Sequence, residues 1–426
     1  MQRTRLVLFL SLVLLTNAKA GSDWPQFRGP QGNGHADSKN LPITWSESSN
    51  IQWKTATHGR AWSSPVVWGD QIWMTTATED GKQLGVIVVD KNSGKIIHDK
   101  KLFDVAEPQF AHKFNSYASP TPAIEAGRVY VTWGSPATAC IDTKTFKILW
   151  ERRDLVCDHF RGAGSSPILF RNLLINNYDG ADTQYVHAFD KQTGKTVWNT
   201  KRSVDFKDLD KDGKPAAGGD WRKAYATPHI ARIGKRPILL SSGAKAHYAY
   251  NPTNGKEIWR IDHHGQHSAS TRPLFAHGNA YFPTGFGKGE LIVVPVNKRG
   301  ALAEDDKVWH VKRSVPKKPS MLMVKNHLFT VDDGGIATCY EAMTGKVLWQ
   351  ERLARRAGNF SASPILANGK IYISNEDGMT FVFEANPKEL KIVANNELES
   401  GCMASPAISG DALFLRTKTH LYRIQK

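Results

Sequence analysis

The feature that most constrains this chain is a short unit that returns along it. Its clearest copy is Ala188-Phe189-Asp190-Lys191-Gln192-Thr193-Gly194-Lys195-Thr196-Val197-Trp198. An apolar strand ends on Asp, Gln-Thr-Gly-Lys makes a tight turn in which Gly takes positive φ, and Thr196-Val197-Trp198 opens the next strand. The same unit stands at Val89-Asp90 with Ser93-Gly94-Lys95 and His98, and at Ile141-Asp142 with Phe146-Lys147 and Trp150. It returns at Tyr250-Asn251 with Asn254-Gly255-Lys256 and Trp259, and at Tyr340-Glu341 with Thr344-Gly345-Lys346 and Trp349. In every copy eight residues separate the acidic or Asn position from the position that is usually Trp. A repeat this regular means one architecture built from copies rather than a series of unrelated domains.

A second marker, a small residue or Ser followed by Pro, precedes an apolar strand in each unit. It stands at Ser64-Pro65, Ser119-Pro120, Ser166-Pro167, Thr227-Pro228, Arg272-Pro273, a shifted Pro319-Ser320, Ser363-Pro364 and Ser405-Pro406. Proline is tolerated at the first residue of a strand, where its missing N–H is least needed. Eight markers, each opening a strand-turn-strand pattern such as Ile365 to Ile373 across Asn368-Gly369, predict eight four-stranded units. The fold class is therefore all-β, an eight-bladed β-propeller over residues 50–426. The last unit stops at its third strand, Leu421 to Ile424, and the lone strand Ile51-Gln52-Trp53-Lys54 supplies the missing fourth. Such closure removes two open sheet edges. Residues 21–49, rich in Gly and Pro, read as an irregular segment pinned by Trp24 and Phe27.

Residues 1–20 have the pattern of a signal peptide: Arg3 and Arg5, the apolar run Leu6 to Leu15, and the small-x-small site Ala18-Lys19-Ala20. The run is too short to span a bilayer, no later stretch is apolar enough to do so, and no Cys near the cleavage point offers a lipid attachment. The chain is thus expected to be periplasmic or secreted, and monomeric. Its formal charge of +16 favours anionic partners. Basic-aromatic motifs of nucleic-acid modules are missing, which argues against that partner. Four cysteines are too few for a disulfide scaffold. Cys140 and Cys339 hold the same core place in two units, whereas Cys157 and Cys402 fall in connections and could pair or stay free.

The Asp-x-x-Thr-Gly-Lys-x-x-Trp pattern resembles the tryptophan-docking repeat of the pyrroloquinoline-quinone-like propellers. That superfamily holds quinoprotein alcohol dehydrogenases and the BamB-type outer-membrane assembly factors. The resemblance covers residues 50–426 and implies that Trp53, Trp150, Trp198, Trp259 and Trp349 pack between neighbouring blades. The opening Trp24-Pro25-Gln26-Phe27-Arg28-Gly29-Pro30 is similar to the start of exported propellers of this group from planctomycete-like bacteria. In the dehydrogenases of the group the quinone lies against a vicinal disulfide, with calcium and an Asp base nearby. This sequence has no Cys-Cys pair and no position that matches that Asp, so no cofactor is expected, although the resemblance admits pyrroloquinoline quinone.

Sites favour loops on rigid scaffolds, and the connections entering each blade's first strand all open on one face. Seven of them carry Arg, Lys or His, often beside an aromatic residue, and Asp158 is their one acid in the core segments. The ligand-binding candidates are Arg60, Trp62, Lys113, Tyr117, His159, Arg161, Arg222, Tyr225, His267 and Arg355. Their convergence on the axis would attract a carboxylate, sulfate or acidic polymer; the plainer reading is a solvated basic surface. His263, His264 and His267 have no acidic or Cys companion and read as loop histidines. Asp208, Asp210 and Asp212 match the opening of a calcium loop, but Gly219 stands where a bidentate Glu is required, so a surface insertion is the better account. Phosphate-cradling glycine loops and nucleophile elbows are missing as well. The expected function is an exported, non-catalytic propeller that binds an envelope protein or an anionic glycan or small molecule, in cell-envelope assembly. The alternatives are a divergent quinoprotein oxidoreductase and a propeller enzyme acting on acidic polysaccharide.

Overall fold

A computed structural model describes residues 23–263 and 265–426; the expected leader at 1–20 and His264 lie outside the described residues. The chain is an eight-bladed β-propeller. Its blades comprise residues 66–104, 123–152, 168–201, 229–262, 274–311, 322–352 and 365–397, and a last blade of 407–424 joined by 51–56. Ile51–Ala56 pairs antiparallel with His420–Ile424, placing Trp53 opposite Arg423 and Lys54 opposite Tyr422, so the ring closes as the sequence predicts. Blade 4 gains a fifth, parallel strand, Gly300–Leu302, from the long turn of blade 5. Among the described residues no helix is long and apolar enough to cross a membrane.

The repeat owes its residues to one contact. Asp190 Oδ1 accepts the backbone N–H groups of Gln192 and Thr193 and the Thr193 hydroxyl, which fixes the turn and holds its own carboxyl below the usual range. Gly194 then sits at φ +72° under the indole of Trp150 from the preceding blade. A Cβ there would come within 2.6 Å of the ring, so only glycine lets the indole lie flat on the turn. The indole N–H meanwhile donates to Lys191 O at 3.0 Å. The same dock joins Trp53 to Gly94, Trp198 to Gly255 and Trp309 to Gly345. Trp259 and Trp349 also donate across their seams, to Val296 O and Asn386 O. All five tryptophans expected between blades are there, and Trp309 joins them.

The first seam shows why the pair matters. Blade 1 carries His98 in the tryptophan place, and blade 2 carries Phe146 in the glycine place. The two rings stack at 4.2 Å and 9°. A smaller ring on one side leaves room for a phenyl on the other, even though Phe146 must take φ +55°. All four cysteines are free and buried, those of the connections included.

The N-terminal segment does more than pack. Trp24 exchanges backbone hydrogen bonds with Val67 of the first blade, and Pro25 O accepts from Ile124 N of the second. The segment then crosses the axis, where Arg28 donates to Met321 O at 2.6 Å and Pro364 O at 3.2 Å. His35–Ala36 joins the innermost strand of blade 7 in parallel. Trp24 is the buried pin that the sequence suggests, whereas Phe27 faces the axis as the floor of a cavity. Composition rich in Gly and Pro hides such a plug, because its partners are the inner edges of distant blades.

Two outcomes are expected. Deleting residues 21–55 opens the ring and bares two sheet edges, so the truncated protein aggregates or melts well below the full chain in size-exclusion and thermal scans; a monomer with unchanged melting would disprove closure. Gly194→Ala forces a methyl into the Trp150 ring at positive φ and lowers stability by about 2 kcal/mol or more in urea unfolding.

Candidate functional site

Eight connections and the plug enclose a cavity of about 340 Å³ on the axis, within the range of about 300–1,000 Å³ usual for ligand pockets. Its wall is built in two layers. The lower layer is the residue before each first strand's Pro: Ser64, Thr121, Ser166, Thr227, Ser363 and Ser405 all line the cavity. Each blade's backbone N–H donates to the next blade's hydroxyl. Ser64 N reaches Thr121 Oγ1 at 3.0 Å, Thr121 N reaches Ser166 Oγ at 2.9 Å, and Ser166 N reaches Thr227 Oγ1 at 3.0 Å. On the far side the chain of bonds runs from Arg272 N to Ser320, Ser363, Ser405 and back to Ser64, at 2.8 to 3.1 Å. One link differs: Arg272 has no hydroxyl, and its Nε donates to Pro228 O instead.

This belt corrects two markers. In blade 2 the structural position is Thr121-Pro122, not Ser119-Pro120, because the strand begins at Ala123. In blade 6 the hydroxyl is Ser320, with Met321 in the proline place. The Ser-Pro signature is therefore set by the hydroxyl as much as by the proline. Because each of these hydroxyls accepts an N–H, its own proton is left to point elsewhere. Among the described residues none of them donates to another protein group.

The upper layer is the residue two positions earlier, since alternate residues of an extended chain face the same way. It consists of Trp62, Ser119, Gly164, Tyr225, Ser270, Lys318, Ser361 and Met403, one from each blade, and all line the cavity. Arg161, Lys223, His267, Phe114 and Phe286 complete the wall. Among the described residues no Asp or Glu lines it. The carboxylates stand behind: Asp220 pairs with Lys223 and lies 3.6 Å from Arg161, and Glu376 holds Lys318 at 2.7 Å. Burial and the Arg161 guanidinium press the Lys223 ammonium downward, against its Asp220 partner. Burial, then Lys223, Arg161 and Lys245, bring His267 down to about 4, so its ring is neutral at physiological pH.

Of the ten residues singled out in the sequence, the structure brings Trp62, Arg161, Tyr225 and His267 together at the cavity. The other six do not reach it. Arg60 is spent on His112 O and Asn115 O, and Tyr117 stacks near it over a separate, smaller cavity. His159 is buried, accepts Ser135 N–H at 3.0 Å and is held neutral by burial, down to about 4. Arg222 is paired with Asp208 at 2.6 Å on the blade 4 insertion. Lys113 and Arg355 are exposed outside the wall. The expected convergence of Arg60, Lys113, Arg222 and Arg355 is corrected on this point: each sits at a place in its loop that faces a neighbour or solvent. Lys223 and Lys318 were missed as candidates. Counting two residues back from each ring hydroxyl finds Lys318 in the sequence.

The calcium candidates are otherwise occupied. Asp208 holds Arg222, and Asp210 Oδ1 accepts the backbone N–H of Asp212 and of Lys214. Among the described residues no group of three His, Cys, Asp or Glu side chains is placed to hold a metal ion. The wall of hydroxyls, aromatic rings and cations offers no carboxylate cluster and no paired cysteines. An ion-supported quinone does not fit this donor set.

The chain matches the family model described as outer membrane protein assembly factor BamB over residues 45–220 and 182–426. No curated protein matches the sequence. Among solved structures, a europium-containing methanol dehydrogenase superposes with TM-score 0.68 at 12% identity, covering 93% of this chain and 89% of that one. BamB from Moraxella catarrhalis gives 0.57 at 12% identity, covering 88% and 99%. Quinohemoprotein alcohol dehydrogenase from Comamonas testosteroni gives 0.63 at 11% identity, covering 94% and 80%. At such identities the structural likeness speaks for the fold alone.

Breaking one link tests the belt. Ser166→Ala leaves the buried Thr121 N–H without its acceptor and costs about 1–3 kcal/mol in urea unfolding, whereas Ser166→Thr keeps the hydroxyl and most of the stability. Equal losses in the two variants would mean that packing, not the hydrogen bond, fixes this position.

Proposed function

The chain belongs to the outer membrane protein assembly factor BamB family, and on that scaffold we propose that it is an exported, monomeric, non-catalytic binding protein whose axial cavity captures an anionic group. The group is a carboxylate carried by an acidic glycan or by an envelope protein. The observation that carries this reading is the charge of the wall: Arg161, Lys223 and Lys318 line it, and among the described residues no carboxylate does. Hydroxyl protons left over from the belt supply further donors, and Trp62 and Tyr225 offer flat faces on which a sugar ring or an extended side chain can lie. The carboxylates behind the cations hold them in place without reaching the ligand, so an incoming anion meets oriented donors.

The quinoprotein reading is the rival that the fold suggests. A redox site needs a stacked, ion-supported cofactor and a base placed to take the substrate proton. Here the titratable groups of the wall are Arg161, Lys223, Lys318, Tyr225, whose hydroxyl is kept protonated by burial, and a neutral His267, and among the described residues no carboxylate lines the cavity. Purified protein given pyrroloquinoline quinone and calcium is therefore expected to show no alcohol- or sugar-dependent dye reduction. Turnover on the order of 1 s⁻¹ or more would replace the binding reading with the enzymatic one.

The binding reading is tested with an array of acidic and neutral glycans, beside a pull-down from native envelopes. Wild-type protein should retain acidic ligands, and retention should weaken as salt shortens the Debye length from about 10 Å at 0.1 M. The double variant Arg161→Gln, Lys318→Gln should lose at least tenfold in affinity with an unchanged melting profile. Retention that is indifferent to both salt and the double substitution would sink the proposal.

A further inference from the structure

The plug does not fill the axis evenly. It joins the inner strands of blades 1, 2 and 7, and beside it lies a second cavity of about 550 Å³ against blades 3, 4 and 5. This cavity is bounded by the plug residues Gln26, Pro30, Gln31 and Asn33 and by the inner strands Ile168–Phe170 and His229–Ile233. It lies toward the turns that join first and second strands, as Arg171 at the end of Ile168–Phe170 shows, so it is distinct from the cavity inside the hydroxyl belt.

We propose that this second cavity is a binding site for a compact multivalent oxyanion, a polycarboxylate or a polyphosphate. Three arginines line it, Arg171, Arg232 and Arg272, together with His229, and among the described residues no Asp or Glu does. The contrast with the belt cavity is in the counter-charges. There each cation has a carboxylate behind it; here no ion pair is formed by Arg171, Arg232 or Arg272 among the described residues. Arg272 is 3% exposed and is held by carbonyl oxygens alone, Pro228 O at 3.1 Å and Phe27 O at 2.6 Å.

Its guanidinium lies where Gly32 at φ +66° has no side chain, and a Cβ there would come within 2.3 Å of Arg272 Nη1. The plug is thus shaped around this charge. Nearby Arg28, also 3% exposed, is likewise held by carbonyls and has no acidic partner among the described residues. Burial brings Arg272 down to about 9, and burial with repulsion from Arg272 does the same to Arg28. His229 Nδ1 is buried without a hydrogen-bond partner.

A buried charge without a counter-ion and a buried ring nitrogen without a partner are both costly, and such groups ask for an explanation. An oxyanion seated among the three arginines answers the first, because guanidinium forks match carboxylate and phosphate oxygens two at a time. The exposed Arg232 and Arg171 can close over it from the rim.

The test titrates citrate and tripolyphosphate separately into the full mature protein at 0.15 M salt by calorimetry. Binding of either supports the site, and the tighter of the two names the oxyanion class. The double variant Arg171→Glu, Arg232→Glu, both exposed and outside the core, should weaken binding at least tenfold, whereas Arg161→Gln in the other cavity should leave it unchanged. As an independent readout, the bound anion should protect Arg171 and Arg232 from phenylglyoxal, seen by peptide mass mapping. The proposal falls if neither anion binds, if the double variant binds as well as the wild type, or if Arg161→Gln abolishes binding as fully as the double variant does.

Discussion

The whole architecture rests on an indole laid flat over a glycine. Each blade is a small antiparallel sheet that could not stand alone in water, and four of the seams between blades are built on this contact, at Gly94, Gly194, Gly255 and Gly345. The seam is steric before it is anything else: the turn must lack a Cβ because a ring occupies that space. The His98 and Phe146 seam shows that the rule concerns the pair. When the ring shrinks, the glycine is no longer required, and the vacated room is taken by a side chain from the other blade. Because the seams form a closed circle, none is terminal, and the free edges that an open array would present are used up by Ile51–Ala56.

The axis is held differently, by polar bonds. Inner strands converge there and their first backbone N–H groups have no neighbour within the blade. A serine or threonine one blade further on accepts seven of the eight. This solution satisfies the backbone and lines a cavity with hydroxyls at the same positions, so the side chains that meet a structural need also form the wall of the axial cavity. Arg272 is the one member that gives up the hydroxyl, and it stands where the belt, the plug and the second cavity meet.

The ring, its eight blades, the closing strand and five of the docking tryptophans were legible in the sequence, because each depends on a local pattern repeated many times. Asp190, Thr193, Gly194 and Trp198 sit within one hairpin, and their spacing is the message. The site was legible only in part. Trp62, Arg161, Tyr225 and His267 line the cavity, yet Arg60, Lys113, Arg222 and Arg355 look the same in a list of basic loops and end elsewhere. What separates them is contact across the chain: Arg222 meets Asp208 from its own insertion, and Arg60 meets carbonyls of the following connection. The plug was the least legible of all, since a Gly- and Pro-rich segment carries no periodicity and its partners lie hundreds of residues away, as Arg28 with Pro364 does.

That last distance has a temporal consequence. The plug that carries Phe27 reaches residues 364–366 through Arg28, Gly34 and His35–Ala36, and the strand that completes the circle, residues 51–56, reaches 420–424. These are among the longest sequence separations in the molecule, and contacts of that kind form late because the chain between them must first be ordered. The belt cavity therefore lacks its full wall until the last two blades, which supply Ser361, Ser363, Met403 and Ser405, have met the plug. A chain that stops short of its final blade has neither a closed ring nor a complete hydroxyl belt.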